Sequence, residues 1–151
     1  MTTIDSLITS LQTEDFSNVG TILNNYTSDD WQKYINIDIE NTGYVKTKLY
    51  NNDKIEVFII IWYPNSSIDF HDHSANGCFM KILQGQLLEN LISPIMTPIT
   101  QHQLETGNVS YLCNSIGYHS LKNITNNIAV SINIYSPPNY NTQFINVNIS
   151  S

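Results

Sequence analysis

Basic residues, cysteines and long apolar segments are all scarce in this 151-residue sequence. Only 6 residues are Lys or Arg against 13 that are Asp or Glu, which gives a formal net charge of -7. Nucleic acids and anionic membranes are bound through basic patches or basic helices, so we expect neither as a partner. The apolar run at residues 57–62 is far too short to cross a bilayer.

The two cysteines are too few for a disulfide framework. The N-terminus lacks the basic and long apolar segments of a signal peptide, so we expect a reducing, cytoplasmic location. A chain of 151 residues can bury a hydrophobic core without cross-links. We therefore expect a single domain over residues 1–151, and a monomer.

The first 40 residues carry helical patterns. Apolar residues from Ile4 to Leu11 recur at the i, i+3, i+4, i+7 spacing of one buried helix face. Ser17 is a candidate N-cap of a second short helix that continues through Tyr26. Ser28 precedes two aspartates and is a candidate N-cap of a third helix. The sequence therefore predicts a helical segment at residues 1–40.

From Tyr44 onward the pattern changes to short apolar runs separated by Gly, Pro and Asn. The predicted strands cover residues 54–62, 78–83, 86–92, 109–113 and 128–135. Many short strands at regular spacing are typical of a β-sandwich or barrel. We expect residues 44–138 to form a barrel on which the helical segment packs.

Three histidines form the pattern with the clearest chemical meaning. His71 and His73 are two residues apart, so on a β-strand both imidazoles would project from one face, and His119 follows in a Gly-Tyr-His segment. Neutral imidazole suits iron, zinc, copper and nickel, and three such ligands leave coordination positions open. A lone histidine is more often structural, and we interpret His102, in a polar run, in that way.

A polar stripe marks the last predicted strand. Ser131, Asn133 and Tyr135 alternate with isoleucines, so the period of two places the polar trio on one face. That face could be the solvent side of an edge strand, or it could line a site. Pro137-Pro138 ends the strand because proline cannot donate to a sheet, and Gly85 suits a tight turn.

Three segments resemble the cysteine dioxygenase family. Residues 71–85, HDHSANGCFMKILQG, are similar to the metal-site signature of that family, and Gly117-Tyr118-His119 resembles its third-ligand segment. Residues 129–138, AVSINIYSPP, look like its closing strand, normally Ser-x-His-x-Tyr-Ser-Pro-Pro. The resemblance covers residues 44–138.

The resemblance implies a mainly β fold, the cupin double-stranded β-helix or jelly-roll barrel, with the N-terminal helical segment packed on it. It implies Fe(II) held by His71, His73 and His119. Members of the family add both atoms of O2 to the sulfur of L-cysteine and so produce cysteine sulfinic acid. A small thiol and O2 are therefore the expected partners.

The same resemblance assigns catalytic roles on the barrel wall. Cys78 and Tyr135 align with the pair that becomes thioether-linked in the family, although a free cysteine is commonly just a small buried apolar residue. Ser131 and Asn133 complete the expected catalytic group. Cys113 has no such partner and is expected in the core.

Two positions depart from the family pattern. Tyr44-Val45-Lys46 stands where a Tyr-x-Arg segment binds the substrate carboxylate, so Tyr44 and Lys46 are the candidate substrate contacts. Lysine keeps the charge but loses the planar fork of arginine, and a solvated surface lysine is the alternative. Asn133 replaces a histidine and cannot titrate; loss of an acid-base group costs about 10²–10⁴-fold where proton transfer limits the rate.

Three functions are compatible with these residues. The leading hypothesis is an iron-dependent cysteine dioxygenase, with 3-mercaptopropionate or cysteamine as alternative substrates because of Lys46. A second is a non-catalytic iron- or thiol-binding relative. A third is a structural β-barrel without metal, which three suitably placed histidines disfavour.

Overall fold

The computed structural model describes residues 2–147, in which helices come first and strands follow. The helical elements are α1 (Ile4–Thr13), a first 3₁₀ helix (Phe16–Asn18), α2 (Val19–Asn25) and a second 3₁₀ helix (Asp30–Tyr34). The strands are β1 (Tyr44–Asn51), β2 (Glu56–Trp62), β3 (Ser67–His71), β4 (Gly77–Gln84), β5 (Gln86–Ile92), β6 (Ile99–Glu105), β7 (Val109–Leu112), β8 (Tyr118–Lys122) and β9 (Ala129–Ser136). None of the helices in the described range is long and apolar enough to span a membrane.

The strands form two antiparallel sheets. A five-stranded sheet has the order β1-β2-β9-β4-β7, and a four-stranded sheet has the order β3-β8-β5-β6. Strand β9 therefore lies in the interior of its sheet, between β2 and β4. The predicted mainly β architecture with a helical N-terminal segment is confirmed.

One hydrophobic core lies between the helices and the outer face of the five-stranded sheet. The buried residues of α1, Ile4, Leu7 and Leu11, belong to the same cluster as Ile59 of β2 and Ile132 of β9. Because side chains alternate along a strand, these isoleucines face the helices while their neighbours face the other sheet. Each fully buried isoleucine contributes about 1.5–3 kcal/mol through removal of apolar surface from water.

A second core lies between the two sheets. It joins Ile60, Trp62 and Met80 of the five-stranded sheet to Leu87 and Leu121 of the four-stranded sheet. The barrel interior is therefore closed by apolar packing on one part of its length, and the remaining inward positions are free to carry polar side chains.

Lys81 links the sheet to the helices. It is only 5% exposed, and its Nζ donates hydrogen bonds to the carbonyl oxygens of Leu23, Asn24 and Tyr26 at the end of α2. A cation at a helix C-terminus satisfies carbonyls that have no partner within the helix. Burial lowers the pKa of this amine.

Two of the predicted helix starts are wrong in detail. Ser17 lies inside the first 3₁₀ helix, because the Asn18 N–H donates to the Asp15 carbonyl and draws Ser17 into that turn; α2 then begins at Val19. Ser28 accepts a 3.3 Å bond from the Asp30 N–H, but the helix that follows is 3₁₀ instead of α.

The five predicted strands are present with boundaries that differ by at most two residues, whereas β1, β3, β6 and β8 were not predicted. Gly85 adopts a φ of 73° at the turn between β4 and β5, as its position required. Strand β9 ends at Ser136, immediately before the two prolines. His102 is exposed on β6, as predicted.

Candidate metal centre

Three buried histidines meet at one place inside the barrel. His71 ends β3 and lies directly opposite His119 of β8, and His73 follows two residues later. One ring nitrogen from each lies within 4.8 Å of the others, and the residues are 8%, 3% and 5% exposed for His71, His73 and His119 respectively. The sequence therefore predicted correctly which of the four histidines converge.

Hydrogen bonds orient two of these imidazoles. Nδ1 of His71 lies 2.7 Å from the carbonyl oxygen of Asp69, and Nδ1 of His119 lies 2.8 Å from Oε2 of Glu89. Both partner oxygens accept, so each Nδ1 carries the proton and each Nε2 keeps a lone pair. Partners of this kind fix the tautomer and ring orientation of metal-binding histidines.

His73 is positioned through its backbone. It lies beyond the end of β3, so the two histidines do not share a regular strand as the spacing suggested. The side chain of Asn114 accepts from the His73 N–H at 2.8 Å and donates to the His73 carbonyl at 3.1 Å. Nε2 of His73 thereby lies 3.1 Å from Nε2 of His119.

The electrostatic surroundings keep His71 and His73 neutral. Burial, followed by the proximity of His119, lowers the pKa of His71 to about 4 and that of His73 to about 2. Neutral imidazole is the form that binds a metal ion. Three convergent imidazole nitrogens without a carboxylate fit iron, zinc, copper or nickel better than magnesium or calcium.

The polar face of β9 forms a chain of hydrogen bonds that ends at Tyr135. The Trp62 indole N–H donates to Ser131 Oγ at 3.0 Å, and the Ser131 hydroxyl donates to Asn133 Oδ1 at 2.8 Å. Asn133 Nδ2 then donates to the Tyr135 hydroxyl at 3.2 Å. Because β9 is an interior strand, the alternative of a solvent-facing edge is wrong.

Cys78 and Tyr135 are paired across β4 and β9. They are direct cross-strand neighbours in the register of these two strands. Asn133 Nδ2 also lies 3.9 Å from Cys78 Sγ. Burial raises the pKa of Cys78 to about 12 and also raises that of Tyr135, so both are protonated at neutral pH.

Cys113 does not lie in the core as predicted. It is half-buried, and its Sγ lies 3.0 Å from Ser115 Oγ in the turn before β8. Cys113 lies just beyond the short strand β7, which ends at Leu112, where the chain has already left the sheet.

A cavity of about 130 Å³ opens onto the histidines. Its other lining residues include Tyr44, Lys46, Glu56, Trp62, Cys78, Asn133 and Tyr135, and also Tyr140, Thr142 and Phe144 from the C-terminal segment. Ser131 is fully buried behind Asn133 and does not line the cavity. The remaining predicted site residues thus surround one space.

Lys46 lies at the mouth of this cavity. Lys46 is an exposed residue of β1, and its Nζ lies 4.3 Å from the ring centre of Phe58 and 5.2 Å from that of Tyr135. Partial burial lowers the pKa of Lys46, and the nearby Glu56 opposes this shift. Glu56 itself pairs with Lys48 at 3.5 Å, and both Lys46 and Glu56 line the cavity.

Comparison with known proteins places this arrangement in a family. The family model for cysteine dioxygenase type I matches residues 3–145. The chain belongs to the cysteine dioxygenase type I family. The matched range extends the resemblance beyond residues 44–138 to the helical N-terminus and to the segment after β9.

Individual relatives in this family are similar at moderate identity. The chain is 31% identical over 131 residues to cysteine dioxygenase type 1 of Danio rerio and 32% identical over 130 residues to that of Homo sapiens. Each match covers 80% of this chain and 64% of the relative, so the chain spans less than two thirds of the length of these relatives.

A solved structure supports the fold. A protein with a double-stranded β-helix domain from Klebsiella pneumoniae superimposes with a TM-score of 0.60 at 13% identity, covering 74% of this chain and 90% of that one. At such low identity the likeness concerns the fold alone. It confirms the cupin-type barrel expected for a cysteine dioxygenase family member.

Sequence reasoning missed two residues that position the histidines of the candidate metal centre. Glu89 holds His119, and Asn114 holds the backbone of His73. Glu89 could have been found, because the period of two places it on the same face of β5 as the buried Leu87. An acidic residue on a buried strand face requires a partner. Asn114 lies in a turn and gives no comparable signal.

Proposed function

We propose that this chain is an iron-dependent thiol dioxygenase whose substrate is L-cysteine. In the proposed reaction one thiol takes up one O2, and both oxygen atoms bond to sulfur to give the sulfinic acid. The observation that carries the proposal is the convergence of three buried imidazoles in the cavity that the Cys78–Tyr135 pair also lines. Bound Fe(II) would supply the Lewis acid and the electrons that allow O2 to react with a thiolate.

The size of the cavity supports a small substrate. Sites for drug-sized ligands measure about 300–1,000 Å³, and this cavity measures about 130 Å³. The amine and carboxylate of cysteine also have complementary surroundings, because Lys46 and Glu56 both line the cavity. The sequence contains no arginine, so Lys46 is the cation available to hold a carboxylate in this pocket.

Asn133 would control the proton of Tyr135. The Ser131 hydroxyl donates to Asn133 Oδ1, which leaves Nδ2 as the atom that faces Tyr135 and makes it a donor. The Tyr135 oxygen therefore accepts from Asn133, and its own proton is free to be donated to a ligand in the cavity. Asn133 holds this arrangement at any pH at which the protein is folded, since an amide does not titrate.

The cross-strand pairing of Cys78 with Tyr135 supports a thioether bond between them. Its formation would join Sγ to a ring carbon beside the hydroxyl, with loss of the thiol hydrogen and one ring hydrogen. This is a two-electron oxidation, for which O2 is the oxidant in the proposed activity. The linked phenol would stay within reach of Asn133 Nδ2.

Oxygen consumption by the Fe(II)-loaded protein tests the proposal. L-cysteine, 3-mercaptopropionate and cysteamine should be assayed in parallel, with the sulfur product identified by mass. We expect consumption with L-cysteine and a sulfinic acid product. Stoichiometric iron without consumption of O2 for any of the thiols would contradict the proposal and favour a binding protein.

Two lysine variants test how the carboxylate is held. Replacement Lys46→Met should raise KM for L-cysteine and 3-mercaptopropionate by about 10-fold or more, since a hydrogen bond to a charged group contributes about 1.5–3 kcal/mol. KM for cysteamine, which has no carboxylate, should be unchanged. Lys48→Met removes the same charge from the same strand outside the cavity, and an equal effect of both variants would contradict the assignment.

3-Mercaptopropionate is the second candidate substrate. The Nζ of Lys46 lies over two aromatic rings and not in an ion pair with Glu56, which favours a ligand with a carboxylate whether or not it carries an amine. A higher kcat/KM for this acid than for cysteine would support it.

A further inference from the structure

The chain continues after β9 across the mouth of the cavity. We call residues 139–147 the C-terminal strap. The Ile145 N–H donates to the Phe70 carbonyl at 2.8 Å, and the Asp72 N–H donates to the Gln143 carbonyl at 3.0 Å. These bonds add the strap to the outer edge of β3, which is an edge strand of the four-stranded sheet.

One carboxylate, that of Asp72, accepts two hydrogen bonds from the strap. Asp72 lies between His71 and His73 in sequence, and its Oδ1 accepts from the Gln143 N–H at 2.7 Å. Its Oδ2 accepts from the hydroxyl of Tyr140. Charge-assisted bonds of this kind are roughly twice as strong as bonds between neutral groups. Asp72 thus ties the strap to the segment that carries two of the histidines.

The strap contributes side chains to the cavity. Tyr140, Thr142 and Phe144 all line it, and the ring centre of Phe144 lies 6.4 Å from that of His71. Phe144 is 64% exposed, so it stands at the rim with one side towards solvent. The strap therefore forms part of the entrance through which a thiol must pass.

We propose that the C-terminal strap is a specificity-determining wall of the thiol pocket, with Asp72 as its positioning residue and Phe144 as the side chain that limits thiol size. This inference rests on the proposed function, because it names the site that selects among thiols. It predicts two separable effects, one on the order of the strap and one on the size of the thiol accepted.

Hydrogen exchange tests the role of Asp72 without an activity measurement. In the full iron-loaded chain, Asp72→Ala should accelerate exchange of the Gln143 and Ile145 amides by about 10-fold or more, because it removes a charge-assisted hydrogen bond. Asp72→Asn keeps an acceptor oxygen and should restore much of the protection. Unchanged exchange in Asp72→Ala would overturn the proposal.

A tyrosine pair provides the matched control. Tyr140→Phe leaves the backbone at residues 71–73 untouched and should also accelerate strap exchange. Tyr34→Phe removes another tyrosine bond to a carboxylate, that to Asp5 in α1, and should leave strap exchange unchanged. Equal exchange in the two variants would overturn the role of Asp72.

Substrate size tests the role of Phe144. The measured quantity is the ratio of kcat/KM for the dipeptide cysteinylglycine to kcat/KM for L-cysteine. Phe144→Ala should raise this ratio about 10-fold over the wild-type value, as expected for removal of a side chain that obstructs a pocket. Ile124→Ala, which shortens another exposed apolar residue outside the cavity, should leave the ratio unchanged. An unchanged ratio in Phe144→Ala would overturn the wall assignment.

Failure of the proposed function gives a different result from failure of this inference. If the wild type oxidises no thiol, anaerobic calorimetry can measure the affinity for the same two thiols instead of the kinetic ratio. A larger increase in affinity for cysteinylglycine than for L-cysteine in Phe144→Ala would still support the role of the strap as a wall of the pocket. Equal affinities in both proteins, or no binding of either thiol, would overturn it.

Discussion

The replacement Glu89→Gln should weaken metal binding while leaving the fold intact. Oε2 of Glu89 lies 2.8 Å from Nδ1 of His119, and the two side chains are 10% and 7% exposed. A carboxylate can only accept, so it forces the proton onto Nδ1 and leaves Nε2 free for a metal ion. The glutamine amide has nearly the same shape but can present either its oxygen or its NH2 group. With the NH2 group towards Nδ1, the imidazole proton moves to Nε2, and this nitrogen can then no longer bind a metal ion.

The expected loss of Fe(II) affinity is about 10–100-fold, the range found when the hydrogen-bond partner of a ligating histidine is changed. This corresponds to about 1.4–2.7 kcal/mol. We expect the free energy of unfolding of the metal-free protein to change less than this. The reason is that Glu89→Gln also removes a buried charge, and its desolvation cost offsets the weaker hydrogen bond.

Competition with a chelator under argon measures the affinity, and urea unfolding of the metal-free protein measures stability. Glu105→Gln on the neighbouring strand β6 is the control, because it makes the same chemical change at an exposed site that does not contact the histidines. Wild-type Fe(II) affinity in Glu89→Gln, or equal losses in both variants, would refute the assigned role of Glu89.

Three other variants test separate parts of the account. Asn133→His should raise cysteine turnover by up to about 10²-fold by restoring a titratable group beside Tyr135; steady-state kinetics at equal iron content that show no gain would indicate a site tuned to another thiol. Cys78→Ser should abolish any mobility doublet on denaturing gels that arises from the thioether, and a doublet that persists would disprove that linkage. Lys81→Met should lower the free energy of unfolding by about 1–3 kcal/mol, because three carbonyls at the end of α2 lose their donor; an unchanged urea midpoint would contradict this role.

The strands that sequence patterns predicted are those with a buried apolar face. Strand β2 is a nearly continuous apolar run, and β9 alternates apolar with polar side chains; both were predicted to within two residues. Strand β6 escaped prediction because it is an edge strand whose residues are almost all exposed, so no alternation marks it. Strands β3 and β8 have five residues each, too few for a clear period.

The three histidines of the candidate metal centre were predictable because their chemistry and their resemblance to a family are local in sequence. The residues that hold those histidines were less accessible to sequence reasoning. Glu89 is 30 positions from His119, and Asn114 is 41 positions from His73, so only the folded barrel brings them together. The prediction that Ser17 caps a helix was wrong for a related reason. The backbone hydrogen bond from the Asn18 N–H to the Asp15 carbonyl places Ser17 inside a 3₁₀ turn instead.

Mass analysis of the product formed from L-cysteine and isotopically labelled O2 tests whether this protein is a cysteine dioxygenase. We expect cysteine sulfinic acid in which both added oxygen atoms carry the label, with one O2 consumed per thiol. Incorporation of one labelled atom, oxidation to the disulfide without incorporation, or no reaction at full iron occupancy would contradict it.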